Sequence, residues 1–404
     1  MAQQERRRPM TREEAKALRE RQQFLKEKER ESYELARGPL DLPFLLLVIL
    51  LTGIGLVMLL SASFPSAYYI NSDPTHYFVR QGVFAVAGIA LMLVISRFNY
   101  QRLRGAARPL LYIAIILLVL VLIPGIGQTR NNATRWLGVG DLFTFQPSEI
   151  AKLAVVVYFS NSISKKKDRM ANFRYGVLPY LLILGVISIL MLMEPHLSGT
   201  VLIWGAGSVL MLVGGISWKY VGGAIVAAAL AVWAFLEGLI PYGQSRIAMW
   251  HDPWIDAQGD GYQLVQSLLS IGSGGLLGVG LGKSRQKFLY LPEEHNDFIF
   301  AIVCEELGLI GATIIMLLFA ALILRGFWIA LHARDRFGSL LVVGFTTLIA
   351  LQTFLNIGVV TGLLPTTGIS LPFFSYGGTA LIIQLAEMGV ILSVSRQMKP
   401  TKAG

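Results

Sequence analysis

The sequence predicts an all-α polytopic integral membrane protein of about ten transmembrane helices, both termini cytoplasmic, with one large extracytoplasmic loop between the seventh and eighth. Three observations carry this prediction. Of 404 residues, 54% are apolar and only 15% are charged, against roughly 25% charged in an ordinary soluble domain. Ten stretches approach the ~20 apolar residues that crossing a bilayer requires. Lysine and arginine collect in alternate loops, the pattern expected of segments held in the cytoplasm.

Residues 1–41 read as a charged cytoplasmic tail. Positions 1–37 hold eleven Lys or Arg and eight acids, and Thr11 to Ala36 alternates Glu with bases at helical spacing. Such a tail serves as a topology signal or as a docking site for a cytoplasmic partner or anionic lipid. Its hydrophilicity excludes a cleavable signal peptide. The membrane domain covers 42–397, with spans near 42–63, 78–96, 109–126, 147–163, 176–193, 198–215, 219–239, 297–324, 338–362 and 372–395. Arg97, Arg102, Arg104, Arg108, the run Lys165–Lys167, Arg169, Arg174, Arg325, Arg334 and Arg336 then all fall inside, as do the bases of the C-terminal tail, 398–404. The loop over 240–296 is long for a segment without a domain of its own. Its apolar run Tyr262–Leu277 reads as an amphipathic helix at the outer interface.

Composition excludes several classes. A single cysteine, Cys304, rules out an internal disulfide. The formal charge of +10 reports topology before nucleic acid, and no basic-aromatic surface for nucleic acid is present. Gly282-Lys283-Ser284 superficially suggests a phosphate loop, but that motif needs a glycine at 277, where leucine stands. A glycine-rich hinge with close helix packing explains Gly272 to Gly282 better.

Ionisable groups within or at the edge of spans are costly and mark candidate sites. Here they are Arg80, Glu149, Lys152, Glu194, His196, Asp297, Glu305, Glu306 and Glu387. With the topology above, Arg80, Glu149, Lys152, Glu194, His196 and Asp297 share the extracytoplasmic face, and Glu305 and Glu306 lie about 12–14 Å deeper. An outward-facing polar cavity is expected. Glu149 and Lys152, three apart, share a helix face. They either neutralise each other at a helix start or hold Lys152 ready for an anionic group. Pro147 suits the first turn, with Ser148 or Gln146 as capping residues. Arg80 either snorkels to headgroup phosphate or meets substrate. Asp297 is either a helix cap or a functional carboxylate, expected to be ionised because a helix dipole favours it. Together with Glu293 and His295 it could instead ligate a divalent cation.

Four motifs, Phe145-Gln-Pro-Ser-Glu149-Ile-Ala-Lys152, Gly259-Asp-Gly-Tyr-Gln263, Gln286-Lys-Phe-Leu-Tyr-Leu-Pro-Glu-Glu-His-Asn-Asp297-Phe-Ile-Phe-Ala301 and Leu364-Pro-Thr-Thr-Gly-Ile-Ser-Leu-Pro-Phe-Phe-Ser-Tyr-Gly-Gly378, follow one another in the order found in the SEDS family of cell-wall proteins. The chain resembles that family over 42–397, and its division branch more than the elongation or sporulation branches. The resemblance implies a peptidoglycan glycosyltransferase of the bacterial cytoplasmic membrane, at the division septum, that polymerises Lipid II on the outer face. It implies Asp297 as the essential acid and Glu149 and Lys152 as the paired residues. A class B penicillin-binding protein (an FtsI-like transpeptidase) and other division proteins are the implied partners. Many relatives carry Asp where this chain has His196. The chemistry agrees with the residues. A pyrophosphate donor needs no nucleotide, the acceptor hydroxyl needs a base, and the leaving pyrophosphate needs Arg80, Lys152 or a divalent cation, Mg²⁺ or Mn²⁺. The rival readings are a Lipid II flippase and a non-catalytic division scaffold.

Overall fold

A computed structural model describes residues 20–21, 23–24, 38–130, 133–139, 143–220, 222–223 and 244–398. Of the tail, Glu20, Arg21, Gln23 and Phe24 are helical and exposed, and the rest of the tail helix expected from sequence lies outside the described residues.

The second unit, from Leu40 onward, is a bundle. Its helices are α1 (Leu42–Asn71), α2 (His76–Ile95), α3 (Leu103–Val121), α4 (Pro147–Lys166), α5 (Leu178–Met193), α6 (Leu197–Val213), the short α7 (Gln244–His251), α8 (Tyr262–Gly274), α9 (Ile299–His332), α10 (Arg336–Val360) and α11 (Gly378–Ser395). Nine coincide with nine of the ten predicted spans, while the seventh, 219–239, falls almost wholly outside the described residues. Seven are long and apolar enough to cross a membrane. The chain is a polytopic membrane protein.

Helix α4 is the instructive exception. Its polar sequence would be costly against lipid, and it sits centrally, packed on α3, α6 and α10 with Ala151, Ala154, Val156 and Phe159 fully buried. Protein, not lipid, surrounds Glu149 and Lys152.

Polar contacts sort the helix ends into two groups. At one end Asp41 caps α1, accepting from the Phe44 amide at 3.0 Å, and pairs with Arg325 of α9 at 2.8 Å. Nearby contacts of the same kind join Arg104 of α3 to Asp335 before α10 (2.8 Å) and Arg336 to the Gly214 carbonyl after α6 (2.6 Å). Bases that the charge pattern places in common loops thus gather at one end. The candidate site is at the other.

Two features depart from an all-α bundle. Strands β1 (Gly127–Arg130), β2 (Ala133–Val139) and β3 (Phe143–Phe145) form an antiparallel sheet in order β1-β2-β3 between α3 and α4. The all-α expectation is corrected accordingly. A hydropathy window long enough to find a span averages over a strand of seven residues. Second, α9 is broken at Gly308, whose φ of 67° and ψ of −172° suit only glycine. Residues 275–280 fill the break. The Val279 and Gly280 amides donate to the Glu305 and Glu306 carbonyls at 2.9 and 3.0 Å, and the Leu309 and Ile310 amides donate to the Gly275 and Leu276 carbonyls at 2.9 and 3.2 Å. A Cβ at Gly278 would come within 2.1 Å of the Glu306 carbonyl oxygen, so close backbone packing is what these glycines provide. Helix α8 forms where the sequence predicts an amphipathic helix and packs one face on α9, burying Leu264, Val265, Ser267 and Ser270.

Candidate active site

Asp297 lies in the turn that precedes α9, two residues before the helix begins. That turn is clamped from three directions. The Asn356 side-chain amide of α10 donates to the Asp297 and Ile369 carbonyls, both at 2.7 Å. Ser375 Oγ donates to the Asn296 carbonyl at 2.7 Å, and the Tyr376 amide donates to the His295 carbonyl at 2.9 Å. From α2, the Tyr77 ring stacks on His295 with centroids 4.7 Å apart and meets Tyr376 edge-on at 4.9 Å. Opposite the carboxylate is Gly368, with φ +62°, where a Cβ would stand 3.2 Å from Asp297 Oδ2.

The surroundings raise the Asp297 carboxyl from an ordinary 3.8 to about 6. Burial is the main cause and the Glu293 charge adds to it, while Arg135 and His295 pull the other way. The dipole argument from sequence named the wrong dominant effect, because desolvation outweighs it. The group is nonetheless mostly ionised at pH 7.

Arg135 of β2 is the principal residue that sequence reasoning missed. It donates from Nε to the Glu194 carbonyl at 3.2 Å and from Nη2 to the Pro195 carbonyl, and its charge acts on Asp297, Glu194 and His196 together. The available signal was a base in a loop that the charge rule would leave poor in bases. Glu194 itself is 1% exposed, both carboxylate oxygens lack a hydrogen bond, and burial pushes its carboxyl up to about 8. It is a neutral acid at pH 7. Burial lowers His196 to about 3, with Arg135 and Lys152 acting in the same direction, so the imidazole is uncharged. The Gln146 amide nitrogen lies 3.0 Å from its Nδ1.

Glu149 and Lys152 pair at 2.8 Å in the first turns of α4, both buried. Pro147 opens the helix as expected, but Ser148 Oγ has no hydrogen-bond partner and Gln146 turns to His196, so neither side chain caps α4. Glu387 of α11 is close enough for its charge to interact with both members of the pair. Arg80 stands half-buried one turn into α2, with Nη1 3.5 Å from His76 Nε2. Its neighbours Tyr77 and Gln81 reach the Asp297 turn and the 375–377 segment.

Two expectations need correction. Glu305 and Glu306 do not line the cavity. Glu305 accepts from Ser270, Ser284 and the Arg285 amide, and Glu306 accepts from Ser61 and the Ser284 amide and pairs with Lys287. Nor do Glu293, His295 and Asp297 assemble a cation cage. Glu293 takes the Asn296 amide at 2.5 Å and His295 stacks on Tyr77. Among the described residues no three His, Cys, Asp or Glu side chains stand together in a metal-binding group.

Arg135 thus acts electrostatically on Asp297, Glu194 and His196, and Lys152 of the buried Glu149–Lys152 pair acts on the same His196 imidazole. The family model for FtsW, RodA and SpoVE, described as cell cycle protein, matches residues 42–400. The chain belongs to the FtsW/RodA/SpoVE family. A probable peptidoglycan glycosyltransferase FtsW from Geobacter metallireducens is 42% identical over 362 residues, covering 89% of this chain and 96% of the relative. Stage V sporulation protein E of Bacillus subtilis is 44% identical over 364 residues, covering 88% and 97%. Among solved structures, a chain of a peptidoglycan synthase complex that coordinates polymerisation and crosslinking superposes with a TM-score of 0.74 at 28% identity, covering 89% of this chain and 98% of that one. The rod shape determining protein RodA of Thermus thermophilus gives 0.67 at 28%, covering 90% and 99%. Division-type and sporulation-type members of the FtsW/RodA/SpoVE family are thus similarly distant from this chain.

Proposed function

We propose that the chain is a peptidoglycan glycosyltransferase that polymerises Lipid II at the outer face of the cytoplasmic membrane during septal wall synthesis. In this reading ten helices span the bilayer over 42–397, the tails 1–41 and 398–404 are cytoplasmic, and the Asp297 end of the bundle faces outward. The observation that carries it is the clamped Asp297 turn with the Arg135 charge acting on it.

Asp297 takes the proton from the acceptor sugar hydroxyl. The hydroxyl oxygen bonds to the donor's anomeric carbon as the bond from that carbon to the pyrophosphate oxygen breaks. The electron pair leaves with the undecaprenyl pyrophosphate, whose growing negative charge is met by Arg135, Lys152 and Arg80. Glu149 holds Lys152 in place through their 2.8 Å pair. The donor is already activated, so the chemistry consumes no nucleotide. Desolvation of Asp297 strengthens it as a base relative to an ordinary carboxylate while leaving it ionised at pH 7.

A class B penicillin-binding protein is the partner in this reading, supported by the similar chain solved within a peptidoglycan synthase complex. The test is polymerisation of Lipid II by the purified full chain in detergent, alone and with its cognate transpeptidase, where no membrane sidedness exists. Glycan strands formed by the native chain and not by Asp297→Asn support the reading. No glycan under either condition overturns it.

A further inference from the structure

The glycine-rich turn that fills the break in α9 carries a set of apolar side chains that stand exposed among the described residues. Leu277 is 80% exposed, Leu276 67% and Leu281 55%. They adjoin Leu309 and Ile310, which begin the exposed apolar face that α9 continues through Ile314, Leu317 and Leu324. The contact between turn and helix is backbone to backbone, through the Leu309 and Ile310 amides, so the two surfaces are continuous.

Height follows from helix geometry. Arg325, paired with Asp41, marks one edge of the apolar layer. From there to Ile310 is fifteen residues of α9, or about 22 Å at 1.5 Å per residue. The hydrocarbon core is about 30 Å thick, so Ile310 and the Leu276 carbonyl bonded to it lie inside it. Any tilt of the helix places them deeper.

Backbone at that depth must have its polar groups satisfied within the protein. The turn meets this demand in part: four bonds cross the break, the Gly278 amide closes on the Gly274 carbonyl at 2.9 Å and the Lys283 amide on the Gly280 carbonyl at 3.1 Å. The charges close behind it are also accounted for. Lys287 is buried against Glu306, and the exposed Lys283 and Arg285 have stems long enough to carry their heads to the phosphate level.

We propose that residues 275–282 re-enter the membrane and present Leu276, Leu277 and Leu281 to the acyl chains of the bilayer. The long loop before α9 is then a re-entrant element and not a purely aqueous one. The inference uses only the membrane-spanning nature of α9 and stands apart from the glycosyl-transfer reading.

The test is nitroxide accessibility in the full chain reconstituted alone into phospholipid vesicles. Cys304 is the sole cysteine and is buried, and a Cys304→Ala background removes residual labelling. Labels are placed by Leu277→Cys, by Leu317→Cys as the lipid reference and by Asp260→Cys as the aqueous reference, with Leu276→Cys as a second probe should Leu277→Cys fold poorly. The expected result is that the turn label matches Leu317→Cys, with strong relaxation by oxygen and several-fold weaker relaxation by a water-soluble nickel chelate. Accessibility like that of Asp260→Cys overturns the proposal by placing the turn in water. Shielding from both reagents overturns it by showing a protein cover.

Discussion

Lys287 reaches Glu306 across the break in α9, Nζ to Oε1 at 2.9 Å, with side chains only 4% and 0% exposed. Lys287 Nζ also donates to Ser61 Oγ at 3.1 Å, which ties α1 to the returning strand of the loop that leads to Asp297. Removing one partner leaves a buried unpaired charge, at a cost of about 3–5 kcal/mol. Lys287→Met is therefore expected to lower the thermal midpoint in detergent markedly. Lys287→Met with Glu306→Leu should recover much of it, since an apolar pair of similar volume avoids the desolvation cost. A single mutant as stable as the native chain would contradict the pairing.

Asp297→Asn tests the base. Ionising Asp297 costs stability, because its folded value of about 6 lies above the ordinary 3.8; stability from this group is full below 3.8 and declines as pH rises to about 6. The asparagine avoids that cost and folds at least as well at pH 7. Polymerisation is expected to fall by at least ~10² with Lipid II binding retained. Asp297→Glu moves the carboxylate by one methylene and should rescue little. Activity of Asp297→Asn within a few-fold of native would reduce the carboxylate to a helix cap.

The pH profile tests the same group without mutation. A base with a value of about 6 gives a kcat/KM that is flat near pH 7 and falls as pH drops through about 6. Arg135 lowers that value, so Arg135→Gln should shift the acid limb to higher pH, besides weakening pyrophosphate binding. A limb that stays in place in Arg135→Gln would separate the two residues.

Lys152→Ala removes a cation and strands the Glu149 carboxylate, buried at 2.8 Å from it. Strong loss of polymerisation is expected. Exchanging the two residues distinguishes roles: activity returns if the pair is only structural and stays lost if Lys152 contacts substrate. Normal rates in a well-folded Lys152→Ala would remove the residue from the mechanism.

Glu194→Gln probes the neutral acid. Glu194 is held at about 8 against an ordinary 4.5, so the folded chain binds its proton more tightly than the unfolded one, and stability is lost as pH rises from 4.5 toward 8. The glutamine variant should melt about 2–4 °C higher above pH 8, with the difference vanishing below pH 4.5. An equal shift at all pH values would mean that folding does not raise the Glu194 carboxyl above its ordinary value.

Hydrophobic runs and the placement of Lys and Arg were sufficient to locate nine helices, though their ends miss by up to eight residues, because the bilayer imposes length and sidedness on a local pattern. The pairing of Glu149 with Lys152 was equally legible, being a matter of helical spacing. What sequence could not decide was which charges meet across the chain. Glu305 and Glu306 look like cavity residues until the 275–287 segment folds back onto them, and that contact depends on a single φ-positive glycine breaking α9. Arg135 lies on a short strand invisible to a span-length window, yet it is the cation that acts on Asp297. The Asp297 ionisation was argued from a local dipole, whereas the tertiary structure set it by burial. Local periodicity writes elements into sequence, but desolvation and charge pairing are sums over neighbours that only the packed bundle brings together.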